Sequence, residues 1–249
     1  GPGNFSGQLE LTGAAPVAEV SHQGTPYLFL TGVDVFNPRG QGVIVVLGTT
    51  RTAGTGHWPQ FLAQRLRQQG FRISVVNASA VANALLWPFP GAGEAGLARF
   101  DRDVLLQPGI THAVIADAIN DIGQPGVGPA GHPTIARLPS LQQLESAYLQ
   151  LAARARARGV KVIAATVMPF QGVPFPHYYS PAKEQLRVAL NRWIRDNRAF
   201  DAVIDLDAIV RDPADPARFR PGLHQPNNFA PNSAGEHRIA NAINLNLFR

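Results

Sequence analysis

The chain has 249 residues, 45% hydrophobic and 16% charged, with a net charge of +5. That balance suits a globular protein long enough to bury a sizeable core. The absence of cysteine excludes disulfides, thiolate catalysis and cysteine-held metals. Apart from Lys161 and Lys183 the positive charge is all arginine. Those arginines are scattered and form no basic stripe with interleaved aromatics, so no nucleic-acid partner is expected.

Residues 1–42 are rich in Gly and Pro and hold one strand-like run, YLFLTG at 27–32. They read as an extended lead-in that packs on the outside of a domain spanning 43–249. The opening GPGNFSGQ is polar and small, unlike a signal peptide, and Gly1-Pro2 has the look of a cloning scar. No run approaches roughly 18 apolar residues, so no membrane-spanning helix is expected.

From residue 43, short β-branched runs alternate with helical patterns. VIVVLG (43–48), ISVVN (73–77), HAVIAD (112–117), VKVIAATV (160–167) and AVIDLD (202–207) predict buried strands. Helices are expected from near Trp58, Glu94, Leu141 and Ala182, and after Asn232. Ser140 is placed to cap a helix with Leu141, Leu144, Tyr148 and Leu151 on one face, and Gly159 to end it. Ser180-Pro181 is a cap and first-turn pair for a helix presenting Leu186, Leu190, Trp193 and Ile194. The last helix shows Ile239, Ile243 and Leu247. The alternation predicts an α/β fold: a flavodoxin-like three-layer α/β/α sandwich around a five-stranded parallel sheet. Ligands bind such sheets beyond the carboxyl ends of the strands, so loops 48–57, 77–92, 117–137, 168–181 and 206–231 are the places to seek function.

The order of elements, with LGTTRTAG (47–54), VNASAVANALL (76–86), AINDIG (118–123) and NNFAPNSAG (227–235), resembles the SGNH/GDSL esterase and lipase family. The likeness is to its secreted bacterial branch, in which a β-rich domain precedes the hydrolase domain. It implies the same sandwich, a secreted or periplasmic location, and no cofactor or metal. It also implies four functional blocks. Gly-Asp-Ser, carrying the nucleophile, reads Gly48-Thr49-Thr50 here. A glycine whose amide joins the oxyanion hole aligns with Ala82. Gly-x-Asn-Asp, whose asparagine supplies an oxyanion donor, reads Ala118-Ile119-Asn120-Asp121. Asp-x-x-His, the acid and general base, reads Asn227-Asn228-Phe229-Ala230.

On that alignment only Asn120 keeps its part. Thr50 retains a hydroxyl, but its extra methyl crowds the attack line, and an internal threonine needs a base to act. Asn227 cannot offset an imidazolium charge, and Ala230 has nothing to titrate. General-base help is worth about 10²–10⁴-fold, so ordinary serine-esterase activity is not expected. His224, on the same loop as Ala230, is the candidate substitute base, with His57 behind it. Asp121 is expected to fix its loop by local hydrogen bonds. No spacing among His22, His112, His132, His177 and His237 suggests a metal site.

Arg51, with Thr49, Thr50 and Thr52 at a helix start, makes an anion-friendly turn. Three readings stay open. The first is a binding protein that keeps the cleft for a saccharide or anionic small molecule. The second is a repurposed enzyme using Thr50, Asn120, Arg51 and His224. The third is a surface role in a larger assembly, which a cleft closed by Phe229 and Trp87 would favour.

Overall fold

The computed structural model describes residues 37–50, 56–88, 92–128, 135, 137–227 and 229–249, with Thr50 by its backbone only. Gly1–Pro38 and Arg39–Arg249 form two units. The lead-in up to residue 36, with its run at 27–32, lies outside the described residues, and so do Arg51 and Thr52.

In the second unit the elements run β1 (Gly42–Thr50), α1 (Trp58–Gln68), β2 (Ile73–Asn77), β3 (Ala80–Val81), α2 (Gly96–Phe100), β4 (Ile110–Ala116), α3 (Ile119–Gly123), α4 (Leu141–Arg156), β5 (Lys161–Ala165), α5 (Pro181–Asp196), β6 (Ala202–Ile204), α6 (Leu206–Val210) and α7 (Ser233–Ala242). The sheet order is β2-β1-β4-β5-β6, parallel at every pairing. All five expected strands are present in the expected doubly wound order. A short sixth, β3, was not anticipated. It pairs parallel with the end of β1, setting Thr49 opposite Ala80 and Thr50 opposite Val81.

Alternation along the strands fills two cores. Val45 and Leu47 on β1, with Ala113 and Ile115 on β4, join Phe100, Leu144, Tyr148, Leu151, Leu190 and Ile194 on one face. Ile44, Val46 and Val114 join Leu62, Leu66, Val210 and Ile239 on the other. The sheet is therefore covered on both faces, which explains strands that read as continuous apolar runs. Burying each such Leu, Ile or Val contributes about 1.5–3 kcal/mol.

Capping follows the sequence. The Ser140 hydroxyl accepts the Gln143 N–H at 3.2 Å, and the Gln143 side chain accepts the Ser140 N–H at 2.9 Å. Ser180 caps α5 through the Lys183 N–H, and Gly159 has φ of +71° just beyond α4.

Several boundaries differ. β5 stops at Ala165 and β6 at Ile204. Asp205 turns the chain, its carboxylate accepting the Ala208 N–H at 3.1 Å, and α6 follows. The helix expected from near Glu94 begins at Gly96 and runs on into a π-helical turn over Asp101–Leu105. α7 ends at Ala242, leaving Leu247 in a final 3₁₀ turn, Leu245–Phe248. The unanticipated α3 and α6 each have five residues, too few for a helical period to register. No helix among the described residues is long and apolar enough to cross a membrane.

Candidate active site

A cavity of about 100 Å³ lies at the carboxyl ends of β1 and β4, with residues beyond β2 and β5 completing its sides. Four of the five loops singled out from the sequence reach it with Thr49 and His57, Asn77 and Ser79, Asn120, and Gln225, Phe229 and Ala230. The fifth contributes Met168 and Pro169.

The floor is shaped by close packing of backbone. A Cβ on Gly48 would stand 2.7 Å from the Ala116 carbonyl oxygen, so β1 and β4 approach this closely only because residue 48 is glycine. Behind it the buried Arg99 guanidinium donates to the carbonyls of Gly48 and Ala78 and to the Asn83 side chain. That fan ties the end of β1 to the segment leading through β3.

Asn120 sits in the first turn of α3, 1% exposed. Its Nδ2 donates to Thr49 Oγ1 at 3.0 Å and to the Asn83 carbonyl at 2.8 Å. Its Oδ1 accepts from the Tyr178 hydroxyl at 2.9 Å. The amide is thus fixed at both ends, with its donor group turned toward the end of β1. Tyr178 is held in turn: its ring lies over Gly123, where a Cβ would stand 2.2 Å from the ring. The Lys183 ammonium donates to the carbonyls of Gly123, Pro125, His177 and Tyr178. Burial pulls that ammonium down to about 8.

Asp121 lies next to Asn120, fully buried. Its two oxygens accept the N–H groups of Leu85 and Leu86, each at 2.7 Å. These bonds are not local: they tie α3 to a segment more than thirty residues earlier in the chain. Burial first, then the neighbouring Asp117, pushes the Asp121 carboxyl up to about 7. Asp117 rises to about 6, also through burial, and its Oδ2 has no hydrogen-bond partner among the described residues.

The facing loop is plainer. Ala230 brings only a methyl group to the cavity, and its carbonyl accepts the Gln225 N–H at 2.9 Å. Asn227 Oδ1 accepts the Phe229 N–H at 3.2 Å, a local turn. Phe229 lines the cavity and packs edge-on against Tyr178 and Phe175. His224 bonds through Nδ1 to the Gln225 carbonyl at 2.8 Å, tilts against Phe219, and is not among the lining residues.

The structure brings Thr49, Asn120 and Ala230 to one cavity. Ala82 is not among the described lining residues, although the next carbonyl, that of Asn83, accepts from Asn120. The Ala82 backbone has φ of +55°, and the residue packs with Ala84, Ala92 and Trp87. In that stretch Asn77 and Ser79 form the wall. Trp87 is not among the described lining residues.

One pair was not foreseen as a pair. His57 Nδ1 lies 3.3 Å from Glu236 Oε1, and both side chains line the cavity. Glu236 Oε2 accepts the Trp58 N–H at 2.7 Å. An acid in the first turn of a helix is so ordinary that Glu236 carried no signal in the sequence. Tyr178 likewise gave none.

A doubly wound parallel sheet, with a cleft at its carboxyl edge and a buried asparagine beside the first strand, defines a hydrolase-like frame. The chain belongs to the GDSL-like Lipase/Acylhydrolase family, whose sequence profile matches residues 41–238. Solved structures of similar fold include LAE5, an α/β hydrolase from the metagenome of Lake Arreo, Spain, at 18% identity and a TM-score of 0.59, covering 84% of this chain and 95% of that one. Est24, a carbohydrate acetylesterase from Sinorhizobium meliloti, matches at 13% identity and a TM-score of 0.55, over 80% of this chain and 95% of its own. The acetyl xylan esterase AlAXEase matches at 16% identity and 0.55, over 80% and 96%. Identities this low speak for the fold alone. No curated protein sequence matches the chain.

Proposed function

We propose that this chain uses its cleft to bind an acylated saccharide, with the Ser-His-Asp machinery of an ordinary esterase replaced. The observation that carries the reading is the pairing of Asn120 with Ala230 on one cavity. Asn120 is a buried, pre-oriented amide, and an ester carbonyl would take the Nδ2 hydrogen that now goes to Thr49 Oγ1. The position that the family resemblance assigns to the general base offers only a methyl. Trp58, Phe219 and Phe229 give the cavity apolar faces for a sugar ring. Two of the similar folds are those of carbohydrate acetylesterases, which suggests the ligand class. A secreted or periplasmic location in a bacterium suits such a ligand and a chain without cysteine. His224, held on the Gln225 carbonyl, is left outside the chemistry.

The test is calorimetric titration with acetylated xylobiose, with free xylobiose and acetate as controls. Binding of the acetylated sugar that weakens at least fivefold in Asn120→Ala supports the reading. No binding, or equal binding by Asn120→Ala, overturns it. Preferential binding of acetate would point instead to an anion site at Arg51 and its threonines.

A further inference from the structure

We propose that Phe175 extends the cleft into a second sugar subsite, so that the ligand is an acylated oligosaccharide of at least two rings. The inference rests on the reading that the cleft takes an acylated saccharide.

Phe175 is 43% exposed, and among the described residues it is the only aromatic ring in the set of large hydrophobic side chains left exposed. Its neighbours tie it to the cleft. The ring meets Phe229 edge-on at 5.5 Å between centroids, and Tyr178 at 6.2 Å. Those two rings also meet each other, at 5.2 Å. Phe229 lines the cavity, and the Tyr178 hydroxyl donates to Asn120 Oδ1. Phe175 is not itself a lining residue. It stands one ring outward from the cavity wall and continues that wall's apolar surface.

The turn that carries this ring is fixed. Pro174 and Pro176 flank Phe175 and restrict φ on either side of it. The Tyr178 N–H closes the turn on the Phe175 carbonyl at 3.1 Å. From inside, the buried Lys183 ammonium donates to the carbonyls of His177 and Tyr178, and also to those of Gly123 and Pro125 at the end of α3. The turn is thereby tied to the element that bears Asn120. An apolar ring held exposed in this way loses little freedom when a ligand covers it.

The surroundings select the ligand. The Pro174–Pro176 stretch carries no charge, so a charged group would find no partner on it, and affinity there comes from covering apolar surface. A pyranose ring has C–H groups on its faces and hydroxyls around its edge. It can lie against an aromatic ring, whose electron-rich face attracts C–H groups, and leave its hydroxyls in water. The acylated ring belongs in the cavity, whose apolar faces are Trp58, Phe219 and Phe229. Because Phe229 also touches Phe175, the next ring of the same saccharide reaches Phe175 without leaving apolar surface.

The experiment titrates acetylated xylose and acetylated xylobiose calorimetrically into the wild type, Phe175→Ala, Phe175→Leu and Phe175→Trp, with thermal melts on each. The wild type should bind the acetylated disaccharide about tenfold more tightly than the acetylated monosaccharide. In Phe175→Ala that preference should fall to within twofold, while affinity for acetylated xylose stays within twofold of the wild type. Phe175→Leu keeps apolar bulk against Phe229 without a ring and should lose most of the preference; Phe175→Trp should keep it. A merely structural role would move both ligands together. If Phe175→Ala fails to fold, Phe175→Leu carries the comparison. Equal affinity of the wild type for the two sugars overturns the proposal and leaves the cleft reading standing. So does a preference that survives both Phe175→Ala and Phe175→Leu. Benzoylated xylose bound more tightly than acetylated xylose, with the gain lost in Phe175→Ala, also overturns it, because Phe175 then receives the acyl group. No binding of either acetylated sugar overturns both readings.

Discussion

On the α3 side of the cleft, buried polar groups hold one another across long stretches of chain. Asn120 spans Thr49, Asn83 and Tyr178, and Asp121 holds two backbone N–H groups. On the 224–231 side, the bonds are short-range and each has a main-chain group on at least one end: the Gln225 N–H to the Ala230 carbonyl, the Phe229 N–H to Asn227 Oδ1, and His224 Nδ1 with the Gln225 carbonyl. The first wall cannot lose a polar side chain without orphaning its buried partners. The second is held by short bonds to its own main chain, from Asn232 and Gln225 among others, and by one aromatic ring, so Asn227 and Ala230 can change with little effect on the fold. Chemistry is therefore easier to lose from the loop than from α3.

The widest gap between the walls should appear when the loop is given chemistry. Thr49→Asp, Thr50→Ser, Asn227→Asp and Ala230→His together should raise p-nitrophenyl ester hydrolysis by about 10² or more, because the donor at Asn120 is already in place. Thr50→Ser alone should do little, since triad members act as a unit. A folded quadruple variant with no gain would mean that the cleft differs beyond these four positions, and Arg51→Ile in that background would be the next measurement.

Deletion on the other wall should cost stability. Asp121→Ala orphans the Leu85 and Leu86 N–H groups and should destabilise by about 3 kcal/mol in urea. Asn227→Ala, which removes one half-exposed local bond, should cost about 0.5–1 kcal/mol. Equal losses would erase the distinction.

The same wall sets a pH dependence. Asp121 is raised to about 7 and Asp117 to about 6, from 3.8. Between about 4 and 7 the folded state holds more protons than the unfolded chain, so their contribution is full below that window and falls as pH rises through it. Asp121→Asn should flatten that slope, as read from urea midpoints across the range.

A smaller effect probes orientation. Tyr178→Phe leaves Asn120 Oδ1 without its donor and should weaken binding of the acetylated sugar about fivefold, roughly 1 kcal/mol. An unchanged affinity would show that Asn83 and Thr49 suffice to aim the amide.

How far these walls were readable from sequence follows from their physics. The five strands announce themselves as β-branched runs because both sheet faces are buried. Asn120 was found through a short block, and the capping serines through local rules. Elements of two to five residues, β3, α3 and α6, fall below any period. The supports of Asn120 come from Tyr178 and Lys183, about sixty residues away, where only tertiary structure could link them. Asp121 was expected to bond locally, since aspartate in loops usually does, but the fold offered it two distant N–H groups instead. His57 and Glu236 are separated by almost the whole domain, and nothing local marks their meeting.

The smallest effect concerns two alanines, both at positions that the family resemblance assigns to glycine. Ala82 has φ of +55° and Ala118 of +95°, a region that costs an L-residue about 1–2 kcal/mol. Glycine removes that cost but adds freedom to the unfolded chain, offsetting about 0.5–1 kcal/mol of it. At half-buried Ala82 little packing is lost, so Ala82→Gly should stabilise by about 0.5 kcal/mol and raise Tm by about 1–2 °C. Ala118 is fully buried in the core, and deleting its methyl forfeits about 0.8 kcal/mol. Ala118→Gly should therefore melt within about a degree of the wild type, although its backbone lies further from the left-handed minimum. If Ala82→Gly instead lowers Tm, contact of its methyl with Ala84, Ala92 and Trp87 outweighs the strain. The segment behind Ser79 would then be held by packing as firmly as α3 is held by hydrogen bonds.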